Sequence, residues 1–551
     1  MQKRNDIVFI SFDAPRPDYP SIPYGIACLI ATIKQAGYIA SHYSINTQSI
    51  IAEREYLSEY IGPIKITSEE YKEYQKDVCN LIKNKIVDVL PWLRTFKYVA
   101  FTFTRWSEIF CKNAAEILWN ENLVSEGVKI IFGGYEITAY DDKKLATLEM
   151  AHYFTKGYAE KSYIKILKGE EGRKVEGGKT YHYVFDDKIE EKDIVSPYLT
   201  HIIPLTSRKI YWETKRGCPY NCGFCEWGAQ KKDKKNEIIE LNWEKRLIKE
   251  LRLFKKTGID EINILDGTYC FSKTKQHLKI LKYIFEKTNI NVVCQVRFEA
   301  LKHSFIDLCT NYIERVHLEF GLQTIHENEG AEIGRNNHSL ESISNKMKVL
   351  NEKGISYEIS LIYAIPGQTI YSFIDSIEFL LINGCKKIRA FPLQIAANSE
   401  LAKKDGYATN YTKPDEKIPS VVASQTFNEQ GRKKMDAIAQ RLEISTQYDN
   451  IYNNSLEKYD VRKLKEKTDY LYLIDMPFIK SLNKSNLKTI VYLINRYFDG
   501  SDKIDYDFAN PQNCSLDELV INYLSKETNC QILLGKSGNF YIVDTKNNIN
   551  R

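Results

Sequence analysis

Short apolar runs alternate with longer amphipathic stretches along the first 170 residues. Runs at 7–12, 98–103 and 128–132 predict buried strands, and the stretches after the first two show the helical spacing of apolar residues. Strands that alternate with helices and end in glycine-bearing loops are typical of a doubly wound parallel sheet of the Rossmann or flavodoxin-like kind. Because ligands of such sheets lie beyond the carboxyl ends of the strands, the loops after these runs are candidate binding sites.

A second alternation begins near residue 211 and contains six strand-like runs. They lie at 211–215, 261–265, 291–296, 315–320, 356–363 and 387–393. Asn242 is placed to cap the first intervening helix, and Gly258 is placed to end it. Six strand–helix units predict a partial (β/α)6 barrel, with an active site where the carboxyl ends of the strands open to one side.

Changes in composition divide the chain into four segments. We expect a Rossmann-like domain at 1–167, a glycine-rich and charged linker or surface hairpin at 168–205, the barrel at 206–447, and a small α/β appendage at 448–551. The length of 551 residues exceeds what one hydrophobic core usually organises. Both observations indicate two or three domains.

Composition and charge exclude few classes of function. Hydrophobic residues make up 43% and charged residues 27% of the chain, and the net charge of +5 is small for this length. We therefore expect no strong nucleic-acid binding, and the lysine-rich run at 231–235 is more typical of a solvated loop. The pattern has neither a signal-like segment nor a membrane-spanning run, so we expect a cytoplasmic protein whose twelve cysteines are mostly reduced.

Three cysteines, Cys218, Cys222 and Cys225, fall within eight residues in a C-x3-C-x2-C pattern. A structural zinc site needs four ligands, and the next cysteine, Cys270, lies far along the chain without a second cysteine beside it. A disulfide framework suits a small secreted domain rather than a long chain. Three thiolates suit a cubane iron–sulfur cluster and leave one of its four irons open, which indicates chemistry rather than simple electron transfer.

This motif, with the aromatic Phe224 directly before its last cysteine, resembles the cluster loop of the radical SAM superfamily. The resemblance implies a [4Fe-4S] cluster whose open iron binds S-adenosylmethionine (SAM). An electron from the cluster would then cleave SAM to a 5′-deoxyadenosyl radical. The resemblance also implies an electron donor such as flavodoxin or ferredoxin, and a small-molecule or peptide substrate.

Several stretches of the second alternation resemble elements that contact SAM in that superfamily. Leu265, Asp266 and Gly267 stand where its glycine-rich loop meets the amino group of SAM through backbone atoms. Gln323 and Thr324 belong to a Gly-Leu-Gln-Thr stretch similar to the motif near the ribose. These five residues, together with Phe224 of the cysteine loop, are therefore expected to bind SAM.

Two arginines and one turn extend the resemblance. Arg297 matches an arginine that cobalamin-type members place in the same strand, and Arg335 resembles the arginine that binds the SAM carboxylate, a task suited to a planar bidentate cation. The Ile-Pro-Gly-Gln-Thr stretch at 365–369 resembles a turn that positions the adenine. Without the resemblance, Arg335 would be read as a surface salt-bridge residue. His317 is read as a core or barrel-lining residue.

The N-terminal segment resembles the cobalamin-binding domain that precedes the radical SAM domain in one branch of the superfamily. The resemblance lies in stretches 23–27, 132–134 and 157–160, and the residues it implies at the cobalamin are Thr104, Ser107, Gly133, Gly134 and Tyr135. An Asp-x-His-x-x-Gly motif is missing from the sequence, so a histidine ligand to cobalt is not expected. The alternative is a flavodoxin-like domain that has lost its ligand or binds another one.

Four hypotheses of function follow from these patterns. The first is a cobalamin-dependent radical SAM enzyme that methylates an unactivated carbon. The second is non-methylating radical chemistry, such as epimerisation, cyclisation or rearrangement. The third is a methylthiotransferase, for which Cys28, Cys79 and Cys111 supply the required number of cysteines but not the placement after strands. The fourth, a metal-stabilised scaffold or nucleic-acid binder, is disfavoured by the low net charge.

Overall fold

The computed structural model describes most of the first 442 residues and two short strands beyond them. The described residues are 4–13, 16, 18–46, 76, 80–104, 107–177, 180–225, 238–335, 337, 339–385, 387–395, 399–410, 418–436, 438–439, 442, 531–532 and 543–544. The chain forms two compact units. Unit 1 comprises Met1–Gln295, Gln394–Lys404 and Asn410–Ser420, and unit 2 comprises Val296–Leu393, Asp405–Thr409 and Val421–Arg551.

Strands and helices alternate through both units. In chain order the strands β1 to β19 are Asn5–Asp13, Ala40–Asn46, Phe96–Thr102, Lys129–Gly133, Tyr153–Thr155, Arg173–Gly177, Thr180–Phe185, Lys209–Trp212, Lys215–Arg216, Ile239–Glu240, Glu261–Ile264, Asn291–Val296, Val316–Gln323, Ser356–Tyr363, Ile388–Pro392, Tyr407–Asn410, Ser420–Ser424, Gln531–Ile532 and Val543–Asp544. The α-helices α1 to α12 are Tyr24–Gln35, Leu90–Leu93, Glu108–Asn120, Tyr135–Ala139, Asp142–Ala146, Glu160–Lys168, Ile248–Thr257, Gln276–Lys287, His303–Thr310, Glu327–Glu332, Leu340–Glu352 and Ile370–Ile382.

The first sheet, called here the N-terminal sheet, has seven strands in the order β2-β1-β3-β4-β5-β7-β6. Its strands pair in parallel except for the antiparallel β6–β7 hairpin. Successive residues of β1 face opposite cores, since Val8 and Ile10 pack into one hydrophobic cluster while Ile7 and Phe9 pack into the other. Burial on both faces explains the nearly continuous apolar runs, and the predicted doubly wound sheet is confirmed.

The segment expected to be a linker or surface hairpin contains β6 and β7. The two strands do form an antiparallel hairpin, but β7 also pairs in parallel with β5, as in the pair Phe154 and Val184. This pairing makes the hairpin an edge of the N-terminal sheet. The four-segment division of the chain remains a prediction.

The second sheet has six strands in the order β15-β14-β13-β12-β11-β8. The pairs β8–β11, β11–β12, β13–β14 and β14–β15 are parallel. An open, sequentially ordered sheet of this kind agrees with the predicted partial barrel. The strand expected at 211–215 is interrupted, because the Asp266 carboxylate accepts the amide hydrogens of Thr214 and Lys215 that would otherwise continue the ladder. Lys215–Arg216 pairs instead with Ile239–Glu240.

The helix predicted after the cysteine loop starts and ends as expected. The Asn242 side chain accepts a hydrogen bond from the Lys245 amide at 2.8 Å, and Gly258 ends the helix in a left-handed conformation. Its first turn, Trp243–Leu247, is a π-helix, an irregularity often found at functional sites. The expected appendage at 448–551 lies outside the described residues except for β18 and β19. Among the described helices, none has the length and apolar character needed to cross a membrane.

Candidate active site

The cysteine loop follows the carboxyl end of β8 in unit 1. Cys218 and Cys222 are 9% and 8% exposed, and Cys225 is half-buried. A turn in which the Cys225 amide donates to the Cys222 carbonyl at 3.1 Å brings the last two cysteines near one another. The Cys218 Sγ lies 3.6 Å from the hydroxyl of Thr268, in the loop after β11. The structure therefore brings the predicted cluster loop next to the predicted SAM loop at 265–267.

A buried carboxylate holds these two loops together. Asp266 is 1% exposed and accepts hydrogen bonds from the amides of Thr214 at 2.8 Å and Lys215 at 3.2 Å. Burial raises the pKa of Asp266, and the nearby Lys215 ammonium, at 3.6 Å, opposes that rise. The Lys215 ammonium also donates to the carbonyls of Tyr269 and Phe271. The Asp266 side chain thus fixes the start of the cluster loop against the turn at 265–267.

The donor set fits an iron–sulfur cluster better than a single ion. Within the described ranges, no three His, Cys, Asp or Glu side chains converge closely enough to hold one metal ion. A cubane cluster is larger, and each of its cysteines binds a different iron, so three thiols on one loop need only line the same cavity. None of the nine described cysteines forms a disulfide. Three reduced, mostly buried thiols on one loop meet that requirement.

In unit 2, the end of β13 has an irregular backbone at the predicted ribose motif. Gln323 has a φ of 74°, which is unusual for a residue other than glycine, and the pairing with β14 shifts register between Gly321 and Gln323. A Cβ atom at Gly321 would lie 2.6 Å from the side-chain nitrogen Nε2 of Gln323, so a larger residue there would displace that side chain. Strained residues and β-bulges cluster at binding sites, which supports the assignment of Gln323.

The two predicted SAM arginines lie near one carboxylate in the same unit. Arg297 Nε donates to Glu299 at 2.8 Å. Burial opposes ionisation of Glu299, but its hydrogen bond to Arg297 and the charges of Arg297 and Arg335 hold its pKa below the usual value. Arg335 is only 6% exposed, so the reading of a surface salt-bridge residue is wrong. Its guanidinium donates to the Gly321 carbonyl and, at 3.0 Å, to the Asn337 side chain.

A buried polar chain links the ribose motif to the adenine turn. The Thr324 hydroxyl donates to Glu329 at 2.5 Å, and the Gln368 amide donates to the same carboxylate oxygen at 3.0 Å. Glu329 and Gln368 are 1% and 0% exposed. Thr324 therefore acts through its neighbours to fix the loop after β13. No local motif marks Glu329 or Asn337, because their roles depend on contacts made only in the folded chain.

The candidate cobalamin residues line the carboxyl edge of the N-terminal sheet. The buried Ser107 hydroxyl accepts hydrogen bonds from the amide and the hydroxyl of Thr104, both at 2.9 Å, and donates to the Thr102 carbonyl at 2.8 Å. Gly134 has a φ of 99°, and a Cβ atom there would lie 2.3 Å from the Phe103 carbonyl oxygen. These contacts shape the edge of the sheet from backbone and small side chains.

The other candidates of the N-terminal sheet differ in their surroundings. A Cβ atom at Gly133 would lie 2.4 Å from the Thr155 hydroxyl, and Tyr135 begins α4 with a half-buried side chain. Cys28 and Cys111 are buried within α1 and α3, which agrees with core residues and not with a second cluster. Positions 79, 105, 106, 231–235 and 338 lie outside the described residues.

His317 lies on β13 in the second sheet. Its ring contacts the Ser356 hydroxyl at 2.8 Å and the Glu358 carboxylate at 3.5 Å, and Glu358 also meets Lys387 and Arg389, each at 3.3 Å. Glu358 belongs to the amino-terminal half of β14, away from the loops that carry the candidate residues. The expected barrel-lining role agrees with this ionic cluster.

Comparison with known proteins identifies the second sheet. Residues 212–380 match the family model of the Radical SAM superfamily. The chain carries a radical SAM domain. A curated relative, the cobalamin-dependent radical SAM methyltransferase TokK of Streptomyces tokunonensis, is 26% identical over 226 residues. That alignment covers 38% of this chain and 32% of TokK, so the radical SAM protein described here matches about a third of its relative.

Two solved structures share the fold around the radical SAM domain. The radical SAM methyltransferase TsrM of Kitasatospora setae, solved with cobalamin and a [4Fe-4S] cluster, is similar with a TM-score of 0.52 over 75% of this chain and 84% of its own. The radical enzyme OxsB, solved with aqua-cobalamin, gives 0.53 over 84% and 69%. Both are 12% identical to this chain, so the likeness concerns the fold. It confirms the predicted order of a Rossmann-like sheet followed by a radical SAM sheet.

Proposed function

We propose that this protein is a cobalamin-dependent radical SAM enzyme that methylates an unactivated carbon of a small-molecule or peptide substrate. The observation that carries the proposal is the cysteine loop at the carboxyl end of β8, with Cys218 against the loop after β11. The proposal assigns the cluster and SAM to residues 206–447 and cobalamin to residues 1–167. The relatives support it, since TokK is named for this chemistry and TsrM and OxsB contain cobalamin.

When bound, the cluster and SAM would supply a 5′-deoxyadenosyl radical that removes a hydrogen atom from the substrate, and cobalamin would supply the methyl group. Cys218, Cys222 and Cys225 would hold the cluster through their thiolates. The backbone of 265–267 would receive the SAM amino group, because Asp266 already fixes that loop. Arg335 would bind the SAM carboxylate, a task that suits a planar cation with two parallel N–H donors.

Charge distribution supports the carboxylate assignment. The Glu299 carboxylate pairs with Arg297 and lies within the field of Arg335, so two buried guanidinium groups lie in this part of unit 2. The SAM carboxylate has the sign and planar shape that a guanidinium group binds.

The experiment uses SAM labelled on its methyl group, with protein that has been reconstituted anaerobically and loaded with cobalamin. We expect near-stoichiometric cobalamin, labelled cobalamin after the protein has been reduced by an electron donor and mixed with SAM, and labelled product once substrate is added. A screen of small-molecule and peptide extracts for label acceptance would identify the substrate class. If the protein excludes cobalamin but still cleaves SAM to 5′-deoxyadenosine, non-methylating radical chemistry takes the place of methyl transfer.

A further inference from the structure

Two buried arginines in unit 1 connect the cluster loop to the N-terminal sheet. Arg216 directly precedes the Gly217-Cys218 start of the loop and is 4% exposed. Its Nε lies 3.0 Å from both carboxylate oxygens of Glu213, and its Nη1 donates to Glu160, the first residue of α6. Its guanidinium also lies 5.0 Å from the ring centroid of Tyr158. One side chain thus joins the segment after β8 to the start of α6, a helix that packs on the N-terminal sheet.

Arg246 makes a second connection from the π-helical turn before α7. Its Nε contacts Glu250 at 3.1 Å, and its Nη2 donates to the hydroxyl of Tyr24, the first residue of α1, at 3.0 Å. Its Nη1 donates to the Ile194 carbonyl at 3.2 Å. Glu250 in turn accepts from the Trp212 indole at 2.8 Å, at the end of β8. Both arginines therefore reach helix starts on the N-terminal sheet.

The helices they reach lie on one face of that sheet, where α1 and α6 share a hydrophobic cluster with Ile7 and Phe9. In a parallel sheet, a helix that follows a strand begins at the carboxyl end of that strand. Glu160 and Tyr24 therefore mark the carboxyl edge, which is also the edge with Gly133, Gly134 and Ser107. Arg216 contacts this edge and lies two residues from Cys218.

The charges of this network hold it in one arrangement. The carboxylates of Glu213 and Glu160 lie against the buried guanidinium of Arg216, which remains charged as arginine does in proteins. Removing one partner of a buried ion pair leaves an uncompensated charge, which makes such pairs strong determinants of one geometry even where they add little net stability. Any shift of the cluster loop relative to α6 would have to separate Arg216 from Glu160.

We propose that Arg216 is a positioning residue, which, with Glu160 as its partner, holds the cluster loop in register with the carboxyl edge of the N-terminal sheet. Arg246 and Tyr24 form a second, parallel attachment. The catalytic consequence of this inference rests on the proposed function. The position of the cluster loop against the N-terminal sheet matters for catalysis because a methyl group and a radical must reach one substrate. Its structural part stands on the contacts of unit 1 alone.

The first test is hydrogen exchange in full-length, cluster-reconstituted protein. Glu160→Gln keeps the side-chain shape but removes the charge that pairs with Arg216, so we expect amides of the loop at 215–225 to exchange about tenfold faster. The matched control is Asp142→Asn, which removes an exposed ion pair with Arg173 on the same sheet. This control should leave the loop within about twofold of wild type.

The second test separates positioning from general damage. In Glu160→Gln, iron content and 5′-deoxyadenosine formation should stay within about twofold of wild type, while methylated product per SAM cleaved falls about tenfold. If Glu160 only stabilised the fold, the yields of 5′-deoxyadenosine and of methylated product would fall together. If wild-type protein cleaves SAM but methylates nothing, the proposed function fails, and the exchange experiment still decides the positioning role.

If Glu160→Gln does not accumulate as folded protein, Glu160→Asp replaces it, since the shorter side chain keeps the charge but withdraws it from Arg216. Faster loop exchange in either variant, with the control unchanged, supports the proposal. Unchanged exchange at 215–225 in a folded variant overturns it.

Discussion

Different kinds of residue shape the carboxyl edges of the two parallel sheets. At the N-terminal sheet, the edge is shaped by the Ser107 hydroxyl and by Gly134, which approaches the Phe103 carbonyl closely. At the second sheet, buried carboxylates hold the loops: Asp266 holds the loop after β11, and Glu329 holds the loop after β13. Many sequences can supply small residues and a tight backbone, whereas a buried charge demands particular partners. Motifs are therefore stronger in the second sheet than in the first.

This difference predicts how the two regions respond to substitution. Changes at the N-terminal edge should act first on stability, because its residues fix the backbone. Changes at the second edge should act first on cofactor binding, because its charged groups are arranged around a ligand site. Equal responses of the two regions to substitution would contradict this comparison.

The largest effect is expected from the triple variant Cys218→Ala, Cys222→Ala, Cys225→Ala. It should lose nearly all cluster iron and the associated absorbance after anaerobic reconstitution, because no thiolates remain to bind the irons. Cys309→Ala is the matched control, since Cys309 is fully buried in a helix of unit 2. A triple variant that keeps wild-type iron content would contradict the cluster assignment.

At the N-terminal edge, Gly134→Ala should lower the free energy of unfolding by about 3 kcal/mol, measured by urea titration. The new Cβ would meet the Phe103 carbonyl oxygen, and the backbone there, with φ 99° and ψ 175°, is accessible almost only to glycine. Gly25→Ala is the control, because that position is the second residue of α1 and nothing lies within 4 Å of the new atom. The control should be neutral or stabilise by up to about 1 kcal/mol, and equal losses in both variants would refute the backbone argument.

At the second edge, Arg335→Ala should raise the SAM dissociation constant about 10- to 100-fold, since a charge-assisted contact contributes about 1.5–3 kcal/mol. The cluster should stay intact, because the three cysteines and Asp266, which fixes their loop, are unchanged in this variant. Titration calorimetry with SAM on reconstituted protein measures the change. Lys348→Ala, which removes an exposed pair with Glu352, is the control. SAM affinity equal to wild type would remove Arg335 from the site.

The smallest effect concerns pH and the N-terminal sheet. Burial lowers the pKa of His152 to about 4, and its neutral Nδ1 accepts a hydrogen bond from the Ile130 amide at 3.1 Å. The folded pKa lies below the unfolded value of about 6.5, so the stabilisation is complete above pH 6.5 and is lost as pH falls towards 4.

Between pH 7 and 5.5, His152 should therefore account for a loss of about 1 kcal/mol of unfolding free energy. His152→Gln keeps an acceptor for Ile130 and should make the pH dependence shallower by that amount. His42, whose pKa burial also lowers to about 4, is unchanged in both proteins and cancels in the difference. Parallel pH curves for the two proteins would show that His152 titrates normally.

The sequence pattern predicted β1, β3 and β4 because their apolar runs are local and continuous. It missed β2, which carries His42 and Ser44 and is polar enough to resemble a loop, and β5, which is only three residues long. These strands exist because neighbours in the sheet pair with them, and that information is spread across distant parts of the chain.

The candidate site residues divide in the same way. The cysteines were predicted from their spacing, and Gln323 and Arg335 were predicted from short stretches that resemble family motifs. Glu329 and Asn337 were missed because each acts by bonding a distant residue, and the split of the strand at Thr214 was missed because its cause, Asp266, lies 52 residues away. Partners of this kind are set by the fold rather than by local spacing.

The most direct test of the radical SAM site is the electron paramagnetic resonance spectrum of the reduced, reconstituted protein with and without SAM. The three-cysteine loop leaves one iron open, so SAM should bind that iron and change the g-values of the cluster. We expect a clear spectral change at stoichiometric SAM, and its loss in Arg335→Ala at the same concentration. A cluster signal that is identical with and without saturating SAM would contradict the assignment of an open iron to this loop.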